Sequence, residues 1–407
     1  MTLIRPFRAL RPVPRKAADV ACVPYDVVDT AEARALAEGN PASFLHVIRS
    51  EIDLPEGTGL YEEVVYEQAA ENFRRFKDEA ILIEETTRCL YLYQLVMGGH
   101  CQIGIAACCS LDEYEKGIIR RHEKTRKEKE EDRARHMLKI SAHPGPVLMT
   151  YRGLEAIDSL VRHEAEKRAL YDFVSADGIR HTIWRIEEVS AFVEVFKNVP
   201  FLYISDGHHR TASASRARQE LLKKHPNSTG EEEFNFFLSV LFPADQLKIL
   251  SYNRFIRDLN GMSETEFLKA VRERFDLQNN GRAEPSCKGH FGMYLNKRWY
   301  EFRVRNGMVD SSDPVSALDV SILQKHLLDP VLDIKDQQKD HRIDFVGGVH
   351  SKEKLERRVD RDGGVAFTFF PVSIEELLAV ADAGQFMPTK STWFEPKLRS
   401  GLLIHAF

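Results

Sequence analysis

The chain has no CxxC pair, no apolar run long enough to cross a bilayer and no excess of basic residues, and each absence removes a class of protein. Its six cysteines, Cys22, Cys89, Cys101, Cys108, Cys109 and Cys287, show no paired spacing, which disfavours a disulfide framework and fits a reducing compartment. The adjacent Cys108 and Cys109 point to opposite faces if they lie in a strand, so they read as core thiols rather than joint metal ligands. The opening MTLIRPFRALRP lacks the apolar core of a secretory signal, so a cytoplasmic protein without membrane contact is expected. With a formal charge of −5 and scattered lysines and arginines, nucleic acid is not expected as a partner. The common catalytic signatures are missing too: there is no GxxxxGK[ST] loop, GxGxxG fingerprint, HExxH helix or GxSxG elbow.

What is present is the material for two folded domains. A chain of 407 residues, 43% hydrophobic and 29% charged, exceeds one ordinary core. Apolar spacing predicts an amphipathic helix over 61–80, with Val64, Val65, Ala69, Phe73 and Phe76 mostly on one face, and a hairpin over 89–109 turning at Gly98 and Gly99. Strands follow at PVLMTY, IRHTIWRI and FLYIS, with a helix near 154–170 and a shorter one between the last two strands. A helix from about Thr211 is expected to stop before Pro226, and FNFFLSVLF and LKILSYNRFIRD read as two more strands. Ser263 with Glu266 marks a capping box. Placing the boundary near residue 256 gives domains over 1–255 and 256–407. The second is expected to hold a hairpin over 290–305, a helix near 316–328, a glycine-bearing loop RIDFVGGVH, the strand VAFTFF, a helix SIEELLAVADAG and a final extended segment. The fold class is therefore mixed α/β.

Chemistry concentrates at FLYISDGHHRTASASRA (201–217), where a buried strand runs into Asp206, Gly207, His208, His209 and Arg210. A strand-to-helix junction exposes unpaired backbone N–H groups, and the helix dipole there favours negative charge. Gly207 lets the backbone approach a phosphate, Arg210 offers bidentate hydrogen bonds, and the histidines add donors or a proton shuttle. Asp206 is placed to hold a magnesium ion or orient a histidine; in a purely structural role it would cap the helix.

Three further constellations carry polar groups. In RRHEKTRKEKEEDRARH, residues 127–136 read as a solvated helix with i,i+4 charge pairs, whereas HEKT lies in the loop before it. There Lys124 and Thr125 suit phosphate contact, and Glu123 suits a base or a magnesium ligand. In VPYDVVDT, Asp29 or Thr30 is the better helix cap, which leaves Asp26 for other work. In the last domain, Arg342, Asp344, Gly347 and Gly348 form one polar loop, and Lys390, Ser391 and Thr392 another, with structural and ligand-binding roles equally open.

Taken in order, VPYDVV, HEKT with DR beyond it, ISDGHHR, RIDFVGGV and AVADAGQFMPTKSTWFEPK resemble the signatures of the family called domain of unknown function 1015, along nearly the whole chain. The DGHHR segment also resembles the phosphate-binding box of the ParB and sulfiredoxin superfamily and of its free-serine kinases. This resemblance implies a ParB-like nucleotide-binding core with insertions and a C-terminal α+β domain. It implies a phosphotransferase using ATP or ADP with Mg2+ on a small hydroxyl-bearing metabolite, such as L-serine giving O-phosphoserine. Asp206, Gly207, His208, His209 and Arg210 would then bind the phosphates, Asp206 and Glu123 would be the magnesium ligands, and His122, Glu123, Lys124 and Thr125 would line the same cleft. Asp26 and Glu123 are rivals for the base, the two histidines are acid–base candidates, and Arg342 or Lys390 would meet a substrate carboxylate. A homodimer is compatible with this reading. The alternatives are a ParB-like nucleotide switch without DNA binding, or a phosphatase. Two departures stand out: Arg120 and Arg121 replace the apolar residue and proline that usually precede HEKT, and the family's THR near the domain junction is Tyr252, Asn253, Arg254. The missing histidine puts a catalytic role there in doubt.

Overall fold

The computed structural model describes residues 4–305, 307–310, 312–349 and 351–407, so Met1 to Leu3 of the N-terminal segment and His350 of the glycine-bearing motif lie outside the described residues. Contacts group the chain into two compact units. The first comprises 1–121, 125–247 and 396–407, and the second comprises 122–124 and 248–395. The sequence had suggested a division at 255/256.

In the first unit an eight-stranded mixed sheet runs in the order Ile119–Arg120, Leu202–Asp206, Val147–Tyr151, Phe236–Pro243, His100–Ser110, Leu90–Met97, Arg180–Ile186, Tyr171–Val174. Leu202–Asp206 lies parallel to the first strand and antiparallel to Val147–Tyr151, which is itself parallel to Phe236–Pro243. The hairpin predicted over 89–109 is present, with Met97 opposite His100 across Gly98 and Gly99. Cys108 and Cys109 are both buried, as expected of core thiols. Ile105, Met149, Ile204 and Leu241 belong to one buried cluster with Ile157, Phe192 and Phe196 from the covering helices. A smaller sheet pairs Ala9–Pro12 with Leu82–Glu84 and Ile404–Ala406, so segments near the two ends of the chain hydrogen-bond to each other. The amphipathic helix spans Glu63–Asp78 and buries Val65, Ala69, Phe73 and Phe76 as read, with Tyr66 rather than Val64 completing the face.

Two expectations are corrected here. The helix after DGHHR begins at His208, not near Thr211, because Gly207 at φ +106° turns the chain from strand to helix in one residue. The charged helix, Lys127–Ile140, is not a solvated rod: Asp132, Ala134, His136, Met137 and Ile140 are buried.

The second unit holds an antiparallel six-stranded sheet in the order Phe275–Asn279, Arg298–Val304, His290–Leu295, Val365–Phe369, Asn253–Ile256, Ile343–Val346. LKILSYNRFIRD splits into Lys248–Ser251, paired with Thr392–Glu395, and Asn253–Ile256 in the larger sheet. The capping box at Ser263 and Glu266 is formed. The helix expected near 316–328 runs from Asp319 and widens into a π-helical turn at Gln324–Leu328. The segment read as a glycine loop is partly strand, Ile343–Val346, and the helix Ser351–Asp362 was not anticipated. Among the described residues no helix is long and apolar enough to cross a membrane.

Candidate functional site

The strand Leu202–Asp206 is apolar until its last residue, and Gly207 then opens a 17-residue helix, His208–Lys224. Its first turn has no side-chain cap, so the capping role considered for Asp206 is not taken up. The small residues after DGHHR have a packing purpose: Thr211, Ser213, Ala214, Ser215 and Ala217 are buried, and this face packs on the charged helix. His208 and Arg210 are buried with them, at 4% and 8% exposure. His209 reaches the neighbouring helix, where its Nε2 accepts the backbone N–H of Arg126 at 3.1 Å.

Asp206 faces two cations. Lys397 Nζ donates to its Oδ2 at 2.9 Å, and Arg210 Nη2 stands 3.8 Å from Oδ1. Burial alone would raise this carboxyl's pKa, but Lys397 and Arg210, with His208 adding to them, hold it well below the usual carboxylate range. Arg210 donates through Nη1 to the Pro146 carbonyl, and its Nε is buried with no hydrogen-bond acceptor. Its guanidinium lies so close to Gly207 that a Cβ there would meet Cζ and Nε at 3.1 Å. The glycine therefore admits the arginine side chain, whatever else approaches it.

Sequence reasoning missed three residues at this junction. Lys397 closes MPTKSTWFEPK, but its pairing with Asp206 spans 191 positions of chain. Arg133 and His136 were assigned to solvent, yet they line a small, partly open cavity with Tyr25 and Arg210. Asp29 caps Thr30–Ala37 in a capping box with Glu32, as expected, and Asp26 is left exposed.

HEKT is divided between the units. Thr125 belongs to the first, where its hydroxyl donates to Glu130, while His122, Glu123 and Lys124 are counted with the second. There the Met387 N–H donates to the His122 carbonyl at 2.8 Å, and Glu123 and Lys124 border a groove of about 750 Å3 with Gln324, Gln337, Phe386 and Thr389. Lys124 Nζ lies 5.7 Å from the Phe386 ring centre.

The proposed carboxylate-binding cations also lie in the second unit. Arg342 directs its donors to Asp340 and to the carbonyls of Leu332 and Asp333, both at 3.0 Å, and so closes a turn. Lys390, at φ +56°, places Nζ 5.3 Å from the Tyr252 ring centre. The tripeptide standing where the family has THR is structural: Asn253 accepts from the Phe369 N–H, and fully buried Arg254 donates to the carbonyls of Tyr252, Thr389 and Lys390 at 2.5, 2.9 and 2.7 Å.

Asp206 and Glu123 were the expected magnesium ligands. Asp206 Oδ2 accepts from Lys397, and no group of three His, Cys, Asp or Glu among the described residues is arranged to hold a metal ion. These residues do not form a protein-only magnesium cage.

A family model described as "Protein of unknown function (DUF1015)" matches residues 4–321. The chain belongs to that family. No curated protein matches it. Among solved structures it is similar to free serine kinase in complex with AMP, at 14% identity and a TM-score of 0.36, covering 73% of this chain and 91% of that one. It is similar also to SbnI with a C-terminal truncation from Staphylococcus aureus, at 10% identity and a TM-score of 0.38, covering 74% and 87%. A conserved hypothetical protein from Pyrococcus furiosus matches at 13% identity and a TM-score of 0.35, covering 73% and 94%. Likeness this low leaves the function to be argued from the junction itself.

Proposed function

We propose that this member of the DUF1015 family is a nucleotide-dependent phosphotransferase, built on a ParB-like core and acting on a small hydroxyl-bearing metabolite such as L-serine. The observation that carries the reading is Arg210. Its guanidinium is buried at the N-terminal turn of a long helix, with Nε lacking an acceptor. A buried donor without a partner costs roughly 1–3 kcal/mol, and an anionic oxygen at the helix N-terminus would relieve that cost. The resemblance of DGHHR to a phosphate-binding box points the same way.

In the proposed reaction the donor's phosphates are held by the backbone N–H groups at the start of His208–Lys224, by Arg210 and by His208. Asp206, kept ionised by Lys397, orients the junction rather than exchanging a proton. Exposed Asp26 takes the proton of the acceptor hydroxyl; Glu123 is the other carboxylate proposed for this step. The hydroxyl oxygen forms a new bond to the terminal phosphorus, the bond to the bridging oxygen breaks, and its electron pair leaves with the shortened nucleotide. Catalysis comes from position and charge stabilisation, the usual source for phosphoryl transfer. Magnesium is proposed to arrive with the nucleotide.

Incubating the full chain with magnesium, ATP or ADP and a panel of hydroxyl-bearing amino acids tests this directly. Phosphorus NMR should show a new phosphomonoester and the matching loss of nucleotide phosphate. Nucleotide loss with only inorganic phosphate formed would make the protein a phosphatase. No change for any donor or acceptor would sink the proposal.

A further inference from the structure

Beside the DGHHR junction, within the first unit, is a small, partly open cavity whose Tyr25, Arg133 and His136 the proposed chemistry does not use. It has room for about 20 Å3, enough for one water-sized group, and Tyr25, Arg133, His136 and Arg210 line it. The two arginine side chains are only 13% and 9% exposed. Burying a guanidinium is costly unless its donors find partners.

Their partners are incomplete. Arg133 makes a two-point contact with Asp132 at 2.8 and 3.1 Å, and Asp132 also accepts the Tyr66 hydroxyl at 2.8 Å. That leaves Arg133 Nη1 with a long 3.4 Å contact to the Ile48 carbonyl, while the guanidinium lies 4.6 Å from the Tyr25 ring centre. Arg210 Nε has no acceptor at all. His136 adds no charge: burial and Arg133 push its pKa down to about 4, and its Nε2–H goes to the Val47 carbonyl at 2.8 Å. Burial likewise keeps the Tyr25 hydroxyl protonated and available as a donor. No carboxylate lines the cavity. Its wall combines the donors of Arg133, Arg210 and Tyr25 with the apolar side chains of Pro24, Ile48, Met137 and Pro144.

We infer that this cavity is an oxyanion socket, in which one oxygen of a phosphoryl group held at the N-terminus of His208–Lys224 accepts hydrogen bonds from Arg210, Arg133 and Tyr25. Arg210 links the two places, since its guanidinium lies against Gly207 and also lines the cavity. The inference rests on the phosphate reading of the junction and extends it: Arg133 and Tyr25 become phosphate-binding residues, drawn from segments that DGHHR does not include. A nucleotide's terminal phosphate and free inorganic phosphate share the required chemistry.

The test is calorimetric titration of the full chain with ADP and, separately, with inorganic phosphate, for the wild type and for Arg133→Lys, Tyr25→Phe and Arg210→Lys. Arg133→Lys keeps a cation beside Asp132 but loses the planar fork, and Tyr25→Phe removes only the hydroxyl. ADP affinity should fall by about tenfold or more in Arg133→Lys and by a few-fold in Tyr25→Phe, with melting temperatures near that of the wild type. If ADP does not bind but inorganic phosphate binds with the same dependence on Arg133 and Tyr25, the socket stands with free phosphate as its source. Wild-type affinity in Arg133→Lys and Tyr25→Phe alongside a loss in Arg210→Lys would overturn the socket and leave the junction reading intact. Wild-type affinity in all three would overturn both.

Discussion

The guanidinium of Arg210 lies against the backbone of Gly207, where an added Cβ would stand 3.1 Å from both Cζ and Nε. Gly207 also adopts φ +106°, a region L side chains rarely enter, so two independent constraints fall on one residue. Gly207→Ala should cost roughly 1–3 kcal/mol in urea unfolding and should displace Arg210, weakening phosphate-bearing ligands as well. A stable Gly207→Ala protein with unchanged affinity would show that the close approach has no consequence.

Lys397 holds Asp206 ionised. Although burial opposes it, the folded pKa lies below the unfolded one, so this carboxyl binds fewer protons in the folded state. Its contribution to stability is complete above the unfolded pKa, near about 4, and is lost as pH falls toward the folded value. Lys397→Met should therefore be less stable than the wild type at pH 7, and the gap should narrow as pH drops below about 4. A gap that stays constant through acid would mean that Lys397 stabilises through packing alone.

His136 works over a different pH window. Burial and Arg133 lower its pKa to about 4, so between the ordinary value of about 6.5 and that figure the unfolded chain holds the extra proton. Stability from this group is lost as pH falls through that interval, by about 2–3 kcal/mol between pH 7 and 4.5. His136→Gln, which keeps a donor for the Val47 carbonyl, should lose correspondingly less over the same range. Parallel curves for the two proteins would contradict the assignment.

In the second unit, Arg254 is wholly buried and donates to three carbonyls, with the Phe345 and Phe369 ring centres 4.9 and 5.2 Å from its Cζ. Arg254→Met leaves those carbonyls without their donor and should cost about 3 kcal/mol or more. Arg254→Lys should recover only part, because an ammonium cannot reproduce the fork. Full recovery by lysine, read from urea midpoints, would show that charge rather than geometry matters here.

The junction was legible in the sequence because an apolar strand, a glycine and a polar cluster follow one another locally. Its neighbours were not. The charged helix was read as solvated because its buried face is built from Asp132 and His136, beside largely buried Arg133, and polar residues at helical spacing look like a wet surface until their partners are known. Lys397 could not be matched to Asp206 by any local pattern. RIDFVGGV was read as a loop on its glycines, yet Gly347 makes room for Trp393, whose ring an added Cβ would overlap. The helix Ser351–Asp362 escaped because only Leu355 and Val359 carry its buried face.

The most direct measurement is calorimetric binding of ADP and ATP to the wild type and to Arg210→Lys. The junction reading predicts saturable binding by the wild type to at least one of them, weakened by about tenfold or more in the variant at an unchanged melting temperature. Absence of binding by the wild type, or equal affinity in both proteins, would contradict it.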